Sequence, residues 1–75
     1  MNANETVAIQ IKPETESNAT VMLTNLSGQT IVNETRWLSK TENIVKLDLS
    51  MIPSGLYFVS VRQGDQIWTQ KLIKK

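Results

Sequence analysis

Apolar and polar residues alternate along most of this chain, and this period of two constrains its fold more than any other feature. The clearest run is Leu56–Arg62, in which Tyr57, Val59 and Val61 occupy every second position. Successive side chains of a β-strand point to opposite faces of a sheet, so the run predicts a strand with one buried face. Helical periodicity is weak everywhere, and no segment predicts a helix of ordinary length.

Breaks that contain glycine or proline separate this run from others of the same kind. The segments 27–29 (SGQ) and 63–65 (QGD) each predict a hairpin turn, with Gly28 at a positive φ. Residues 33–43 are polar apart from Trp37 and Leu38, which fits either a loop or an irregular edge strand. Six or seven short strands at this spacing predict an all-β fold, an antiparallel sandwich. The predicted strands are Thr6–Lys12, Thr20–Leu26, a segment from Gln29 that holds Ile31 and Val32, Ile44–Leu49, Leu56–Arg62 and Gln66–Lys74.

The apolar positions on one side of each predicted strand should form the core of the sandwich. In the last strand both sides carry apolar residues, so the pattern alone does not decide which side faces inward. The predicted core consists of Val7, Ile9, Val21, Leu23, Ile31, Leu47, Leu49, Tyr57, Val59, Val61 and Leu72.

Composition excludes several classes of protein. A chain of 75 residues has room for one small domain. It contains no cysteine and no histidine, so a disulfide framework, a thiolate metal site and the usual neutral-pH base are all absent. A net charge of +1 gives no basic footprint for nucleic acid. We therefore expect no enzyme, no metal and no cofactor. The opening residues also lack the pattern of a signal peptide.

The aromatic residues Trp37, Tyr57, Phe58 and Trp68 allow two interpretations. They could form a stacking platform, which would make the chain a carbohydrate-binding or adhesion module. They could instead belong to the core and its flanks, which is the commoner role of aromatic residues. Phe58 and Trp68 lie on opposite arms of the last predicted hairpin, and an exposed patch would require both to face outward.

Four stretches, taken in order, resemble one known family. They are residues 21–29 (VMLTNLSGQ), 47–50 (LDLS), 53–59 (PSGLYFV) and 71–75 (KLIKK). Together they are similar to the type A C-terminal sorting domain of cargo proteins of the type IX secretion system (the Por secretion system) of Bacteroidota. The resemblance covers roughly residues 7–75. Members usually open with a Pro-Asn-Pro segment, whereas residues 1–6 here read MNANET.

The resemblance implies an Ig-like sandwich that acts as a sorting signal. Residues 1–75 would be a single sorting domain excised from a larger secreted cargo protein. Such a domain directs its cargo through the periplasm and across the outer membrane of a Gram-negative bacterium to the cell surface. The partners implied are the outer-membrane translocon, which recognises the domain, and a surface sortase, which removes it. No nucleic acid and no small-molecule cofactor is implied, and exposed edge strands would permit a homodimer.

The resemblance also assigns roles to particular residues. Gly28 and Asp48 match the turn-forming members of the motif. The chain ends on its last strand, and recognition of such a strand suits β-augmentation, in which a partner pairs with its free backbone edge. The residues expected to carry translocon recognition are Gly55, Leu56, Tyr57, Lys71, Leu72, Ile73, Lys74 and Lys75. For Gly55 and Tyr57, a purely structural role remains an equal alternative.

Overall fold

The computed structural model describes residues 6–75 of the chain. Residues 1–5, which include the MNANE opening and the start of the predicted domain, lie outside the described residues. Residues 6–75 form strands joined by short turns and loops, and no helix in this range could cross a membrane. The strands are β1 (Thr6–Ile11), β2 (Ser17–Asn25), β3 (Thr30–Leu38), β4 (Asn43–Asp48), β5 (Gly55–Gln63) and β6 (Gln66–Lys74).

These six strands form two antiparallel sheets that face each other. The smaller sheet pairs β1 with β4, and the larger has the order β3-β2-β5-β6. In the larger sheet β2 and β5 are central, while β3 and β6 lie at the edges. The predicted all-β sandwich is therefore confirmed, and the last strand follows its predicted bounds to the residue.

The core lies between the two sheets and agrees with the alternation in the sequence. Every predicted core residue is buried except Val7, which is half-buried against the core, and Ile31, which is exposed. On β6 the inward side carries Leu72 and Trp68, so Ile67 and Ile73 face out. Core residues that the pattern did not select are Ile11, Ala19, Leu38 and Val45, and Gln63 and Pro13 are also buried.

The prediction for Ile31 is wrong because a β-bulge interrupts the pairing of β2 with β3. Leu23 pairs with Val32, but its neighbour Thr24 pairs with Thr30, so Ile31 is the extra residue of the bulge. A bulge leaves one residue unpaired and re-aims the side chains around it. Val32 therefore packs against the core, while Ile31 is 37% exposed.

The two sides of the sandwich, where the edges of the sheets lie, differ in how the sheets are connected. On the side of β3 and β4, the Arg36 guanidinium donates 2.9 Å to the carbonyl oxygen of Lys46 and so joins the two sheets. The same side chain is held by Glu34, whose Oε1 accepts from Arg36 Nε at 2.8 Å. On the side of β1 and β6, a groove of about 190 Å³ separates the strands.

Candidate recognition surface

The two ends of the sandwich differ in charge, and we name them accordingly. The basic pole comprises the start of β1, the β2–β3 turn (26–29), the β4–β5 loop (49–54) and residues 71–75. The acidic pole comprises the loops 12–16, 39–42 and 64–65. The basic pole carries Lys71, Lys74 and Lys75 beside Asp48, whereas the acidic pole carries four carboxylates and two lysines.

The predicted recognition residues gather at the basic pole, although they are distant in sequence. In the antiparallel ladder of β5 and β6, Gly55 pairs with Lys74, Leu56 with Ile73 and Tyr57 with Leu72. Lys71 pairs with Phe58 one step further along, and Lys75 follows the end of β6. The ladder therefore joins the PSGLY segment to the lysine-rich end of the chain.

The β4–β5 loop is fastened to this ladder by two long side chains. The Tyr57 hydroxyl donates to the carbonyl oxygen of Pro53 at 2.6 Å. The Lys74 ammonium donates to the carbonyl oxygen of Ile52 at 2.5 Å. Carbonyls in a loop need partners when they are shielded from water, and these donors supply them from neighbouring strands. Lys74 is thus half-buried in a structural contact rather than extended into solvent.

Asp48 begins the same loop and holds its first turn. Its Oδ1 accepts a hydrogen bond from the backbone N–H of Ser50 at 3.0 Å, which is the geometry of an Asx turn. This bond lowers the pKa of Asp48 below its ordinary value of 3.8; the Ser50 side chain also contributes, and the charge of Lys74 contributes less. The carboxylate therefore stays ionised to a lower pH than an ordinary aspartate.

Two glycines adopt backbone conformations that other residues enter at a cost. Gly28 has φ of 84° in the β2–β3 turn, as its sequence context predicted, and Gly55 has φ of 153° where the loop enters β5. A Cβ at Gly55 would meet only Tyr57 Cε2 at 3.8 Å, an ordinary contact. The backbone conformation, and not lack of space, is therefore what favours glycine at this position.

Residues 71–75 are accessible, but not uniformly so. Lys71 and Lys75 are exposed, and Ile73 is 68% exposed on the outer face. Leu72 is 8% exposed and belongs to the core, as does Tyr57 at 5%. The side chains that a partner could touch directly are therefore a subset of the motif.

Exposed apolar residues accompany the lysines at the basic pole. Leu26 in the β2–β3 turn is 69% exposed and Met51 in the β4–β5 loop is 93% exposed, and both belong to the same end of the sandwich as Ile73. Leu56 is half-buried opposite Ile73. A mixed surface of lysine and apolar side chains is suited to a protein partner that offers both carboxylates and apolar contacts.

The aromatic residues do not form a common platform. Tyr57 is in the core, and Trp68 packs against the core from the inner face of β6. Phe58 is half-buried on the outer face, so the patch that required both Phe58 and Trp68 to face outward does not exist. Trp37 is 61% exposed, near the end of β3 at the acidic pole.

Some residues that shape the surface were not selected from the sequence. Asn25 Oδ1 accepts from the backbone N–H groups of Ser27 and Gln29, each at 3.0 Å, and so holds the turn around Gly28. Its signal was present, because asparagine two residues before a serine at a turn is a typical Asx-turn pattern. Pro53 and Ile52 accept the bonds from Tyr57 and Lys74 with their carbonyl oxygens, and no side-chain pattern marks a carbonyl.

Among residues 6–75, no group of three or more histidine, cysteine, aspartate or glutamate side chains is placed to hold a metal ion. A comparison with protein families matches residues 3–75 to the family described as the secretion system C-terminal sorting domain. Comparisons with curated proteins and with solved structures found no match.

Proposed function

The chain belongs to the family of secretion system C-terminal sorting domains, and we propose that its basic pole is the surface that the type IX export machinery reads. The family is the C-terminal sorting signal of type IX secretion, which sends proteins to the cell surface or beyond. It is a non-catalytic family, and we extend this to the chain itself, which we propose catalyses no reaction and needs no cofactor.

The observation that carries the proposal is the convergence of the family's motif pieces at one end of the sandwich. Gly55–Tyr57 and Leu72–Lys74 pair in one ladder, and Lys74 fastens the adjoining loop. A binding partner could therefore contact all these pieces at once. The partner we propose is the outer-membrane translocon.

Within this surface we propose two kinds of residue. Leu56, Lys71, Ile73 and Lys75 contact the translocon, because their side chains are exposed or half-exposed around one rim. A second group holds these exposed residues in position. Its members are buried, have a constrained backbone or form hydrogen bonds within the domain. They are Gly55, Tyr57, Leu72 and Lys74, with Gly28 and Asp48 shaping the adjacent turns.

Removal of the domain by a sortase fits the same geometry. β1 begins at the basic pole, since Thr6 pairs with Asp48 at the end of β4. A cargo chain that precedes Thr6 would therefore join the domain beside the basic pole. We propose that residues 1–75 are the C-terminal domain of such a cargo, that the cargo passes through the periplasm and across the outer membrane, and that a surface sortase cuts ahead of β1.

A homodimer through edge strands is a separate proposal about partners. β3 and β6 both end the larger sheet, and a second copy could pair with either. β6 carries lysines and no acid to pair with them, whereas β3 carries both Glu34 and Arg36, which makes β3 the better edge for self-pairing. Sedimentation of the purified chain over a range of concentrations measures this directly.

The test of the sorting function is export of a passenger. A fluorescent protein that tolerates periplasmic folding is fused ahead of residue 1 and expressed in a type IX-competent bacterium. The proposal expects the passenger at the cell surface or in the medium, and its retention in the periplasm of a strain without the translocon. Surface delivery in the translocon-deficient strain would contradict the proposal.

A further inference from the structure

The groove between β1 and β6 lies away from the basic pole and is not used by the proposed recognition surface. It is lined by Ile9 and Gln10 of β1, Val59 and Val61 of β5, and the middle of β6. Its floor is apolar, since Val59 and Val61 are each 1% exposed. The opposite side of the sandwich is bridged by Arg36, so the groove is a specific feature of this side.

One wall of the groove is an unpaired strand edge. Gln63 and Gln66 flank a two-residue turn, and such a flanking pair exchanges both backbone hydrogen bonds. Every second residue of β6 from Gln66 therefore bonds to β5, and the residues between them turn their N–H and C=O groups away. No strand within residues 6–75 pairs with that edge. The residues so placed, all with exposed side chains, are Ile67, Thr69, Lys71 and Ile73.

The groove and this edge are complementary parts of one site. An extended chain that pairs with β6 would continue the larger sheet by one strand. Its side chains would alternate, one set on the outer face beside Thr69 and Lys71, and the other set over Val59, Val61 and Trp68. The site therefore suits a segment with an apolar residue at every second position.

Charge selects among the chains that could occupy the site. From Gln66 to Lys75 the sequence contains three lysines and no acid. A second copy of β6 would add its own lysines to this edge and has no carboxylate to place opposite Lys71. A strand that carries a carboxylate opposite Lys71 would instead gain an oppositely charged cross-strand pair.

We infer that the free edge of β6 and the β1–β6 groove form a strand-addition site for an extended segment of another protein, apolar at alternate positions and acidic opposite Lys71. The free edge shares Lys71 and Ile73 with the basic pole, but the site goes beyond the proposed function, which assigns nothing to Ile9, Val59, Val61 or Trp68. The site binds its segment whether or not that partner belongs to the export machinery.

The test uses the purified 75-residue chain and a capped synthetic peptide, TVTLEVTV, in which apolar residues alternate and one carboxylate is central. We expect binding, with slower hydrogen exchange at the amides of Ile67, Thr69, Lys71 and Ile73. We expect much weaker binding by a peptide of the same composition without alternation, and by one with lysine in place of the glutamate.

A matched pair of variants isolates the backbone edge. Thr69→Pro removes an N–H that points away from β5, so no internal bond is lost, whereas Thr69→Ala keeps that N–H. We expect Thr69→Pro to weaken binding by about tenfold, the equivalent of one good hydrogen bond, and Thr69→Ala to bind like the parent chain. The exchange measurement on the parent chain gives an independent result if Thr69→Pro fails to fold.

Several results would overturn the inference. They are no binding at the highest soluble peptide concentration, equal binding by the peptide without alternation, equal binding by Thr69→Pro and Thr69→Ala, or tighter binding by a peptide copy of Gln66–Lys75, which would make a second copy the occupant. Failure of the passenger to reach the cell surface, with peptide binding intact, would remove the proposed function and leave this site.

Discussion

Polar side chains hold the loops at both poles of this sandwich, but the two poles differ in the charges that they leave exposed. At the acidic pole, long amides turn inward: Gln63 is 3% exposed, and its Nε2 donates to the carbonyl oxygens of Thr15 and Ser17 at 3.0 and 3.3 Å. Asn43 likewise donates to the carbonyl oxygens of Ser39 and Thr41 at 2.9 and 3.0 Å.

At the basic pole, part of the polar and apolar surface is left available. Lys71 and Lys75 are exposed, and they stand among exposed apolar residues such as Met51 and Ile73. Lysines and large apolar side chains that stay exposed together are a feature of interaction surfaces. Large apolar side chains such as Trp37 are also exposed at the acidic pole, so the charge is what distinguishes the two poles, and it is why we propose the basic pole as the surface that a partner binds.

Reversing charge at the basic pole should give the largest effect on function. We expect Lys71→Glu/Lys75→Glu to reduce surface delivery of a fused passenger by about tenfold, because a partner complementary to lysine would then meet like charge. Stability should change by no more than about 0.5 kcal/mol, since both side chains are exposed. Surface fluorescence and urea unfolding measure the two quantities.

The matched control reverses charge at the other pole. Glu14→Lys/Glu16→Lys changes exposed acids by the same amount, and we expect normal surface delivery. An equal loss from both double variants, which change the net charge in opposite directions, would mean that export does not depend on the basic pole in particular.

Removing the buried amide should give the largest effect on stability among the polar residues. We expect Gln63→Ala to lower the free energy of unfolding by about 1–3 kcal/mol, because two shielded carbonyls lose their donor. Gln70→Ala, at an exposed position of β6, should stay within about 0.5 kcal/mol. Similar urea midpoints for the two variants would contradict the structural role of the acidic pole.

A smaller loss of stability is expected from the hydroxyl that holds the β4–β5 loop. Tyr57→Phe removes the hydrogen bond to Pro53 and nothing else, so we expect a loss of about 1 kcal/mol in urea unfolding. Hydrogen exchange should accelerate in residues 49–54 more than elsewhere. A stability equal to that of the parent chain would show that the loop does not depend on this bond.

The smallest effect is expected from the charge of Asp48, and it should depend on pH. The folded-state pKa lies below the ordinary value of 3.8, so the stabilisation is complete above that value and is lost as pH falls through the folded pKa. Asp48→Asn keeps an acceptor oxygen but removes the charge. Thermal unfolding should separate the two chains at neutral pH and bring them together in acid; a gap that is constant with pH would contradict this.

The local part of this fold could be predicted from the sequence. The alternation in residues 56–62 selected the buried side of β5, and the SGQ and QGD segments located both hairpin turns. These signals act over a few residues and depend on strand geometry alone.

What the sequence left open or misassigned depends on pairing with another strand. The mostly polar residues 33–38 fitted either a loop or an irregular edge strand, and it is the pairing of β2 with β3 up to Leu38 that makes them an edge strand. Ile31 was assigned to the core because a bulge cannot be recognised from an apolar pair such as Ile31-Val32. The contacts of Lys74 with Ile52 and of Tyr57 with Pro53 join backbone carbonyls to distant side chains, and no spacing in the sequence encodes them.

The central claim is that the translocon binds the basic pole during export, and crosslinking in cells tests it most directly. A photo-crosslinking amino acid is placed at Ile73, or at Asp65 on the acidic pole, in an exported passenger fusion; both positions are exposed. We expect irradiation during export to join the probe at Ile73 to an outer-membrane translocon protein, and to give little product from Asp65. Crosslinks from Asp65 with none from Ile73 would contradict the account.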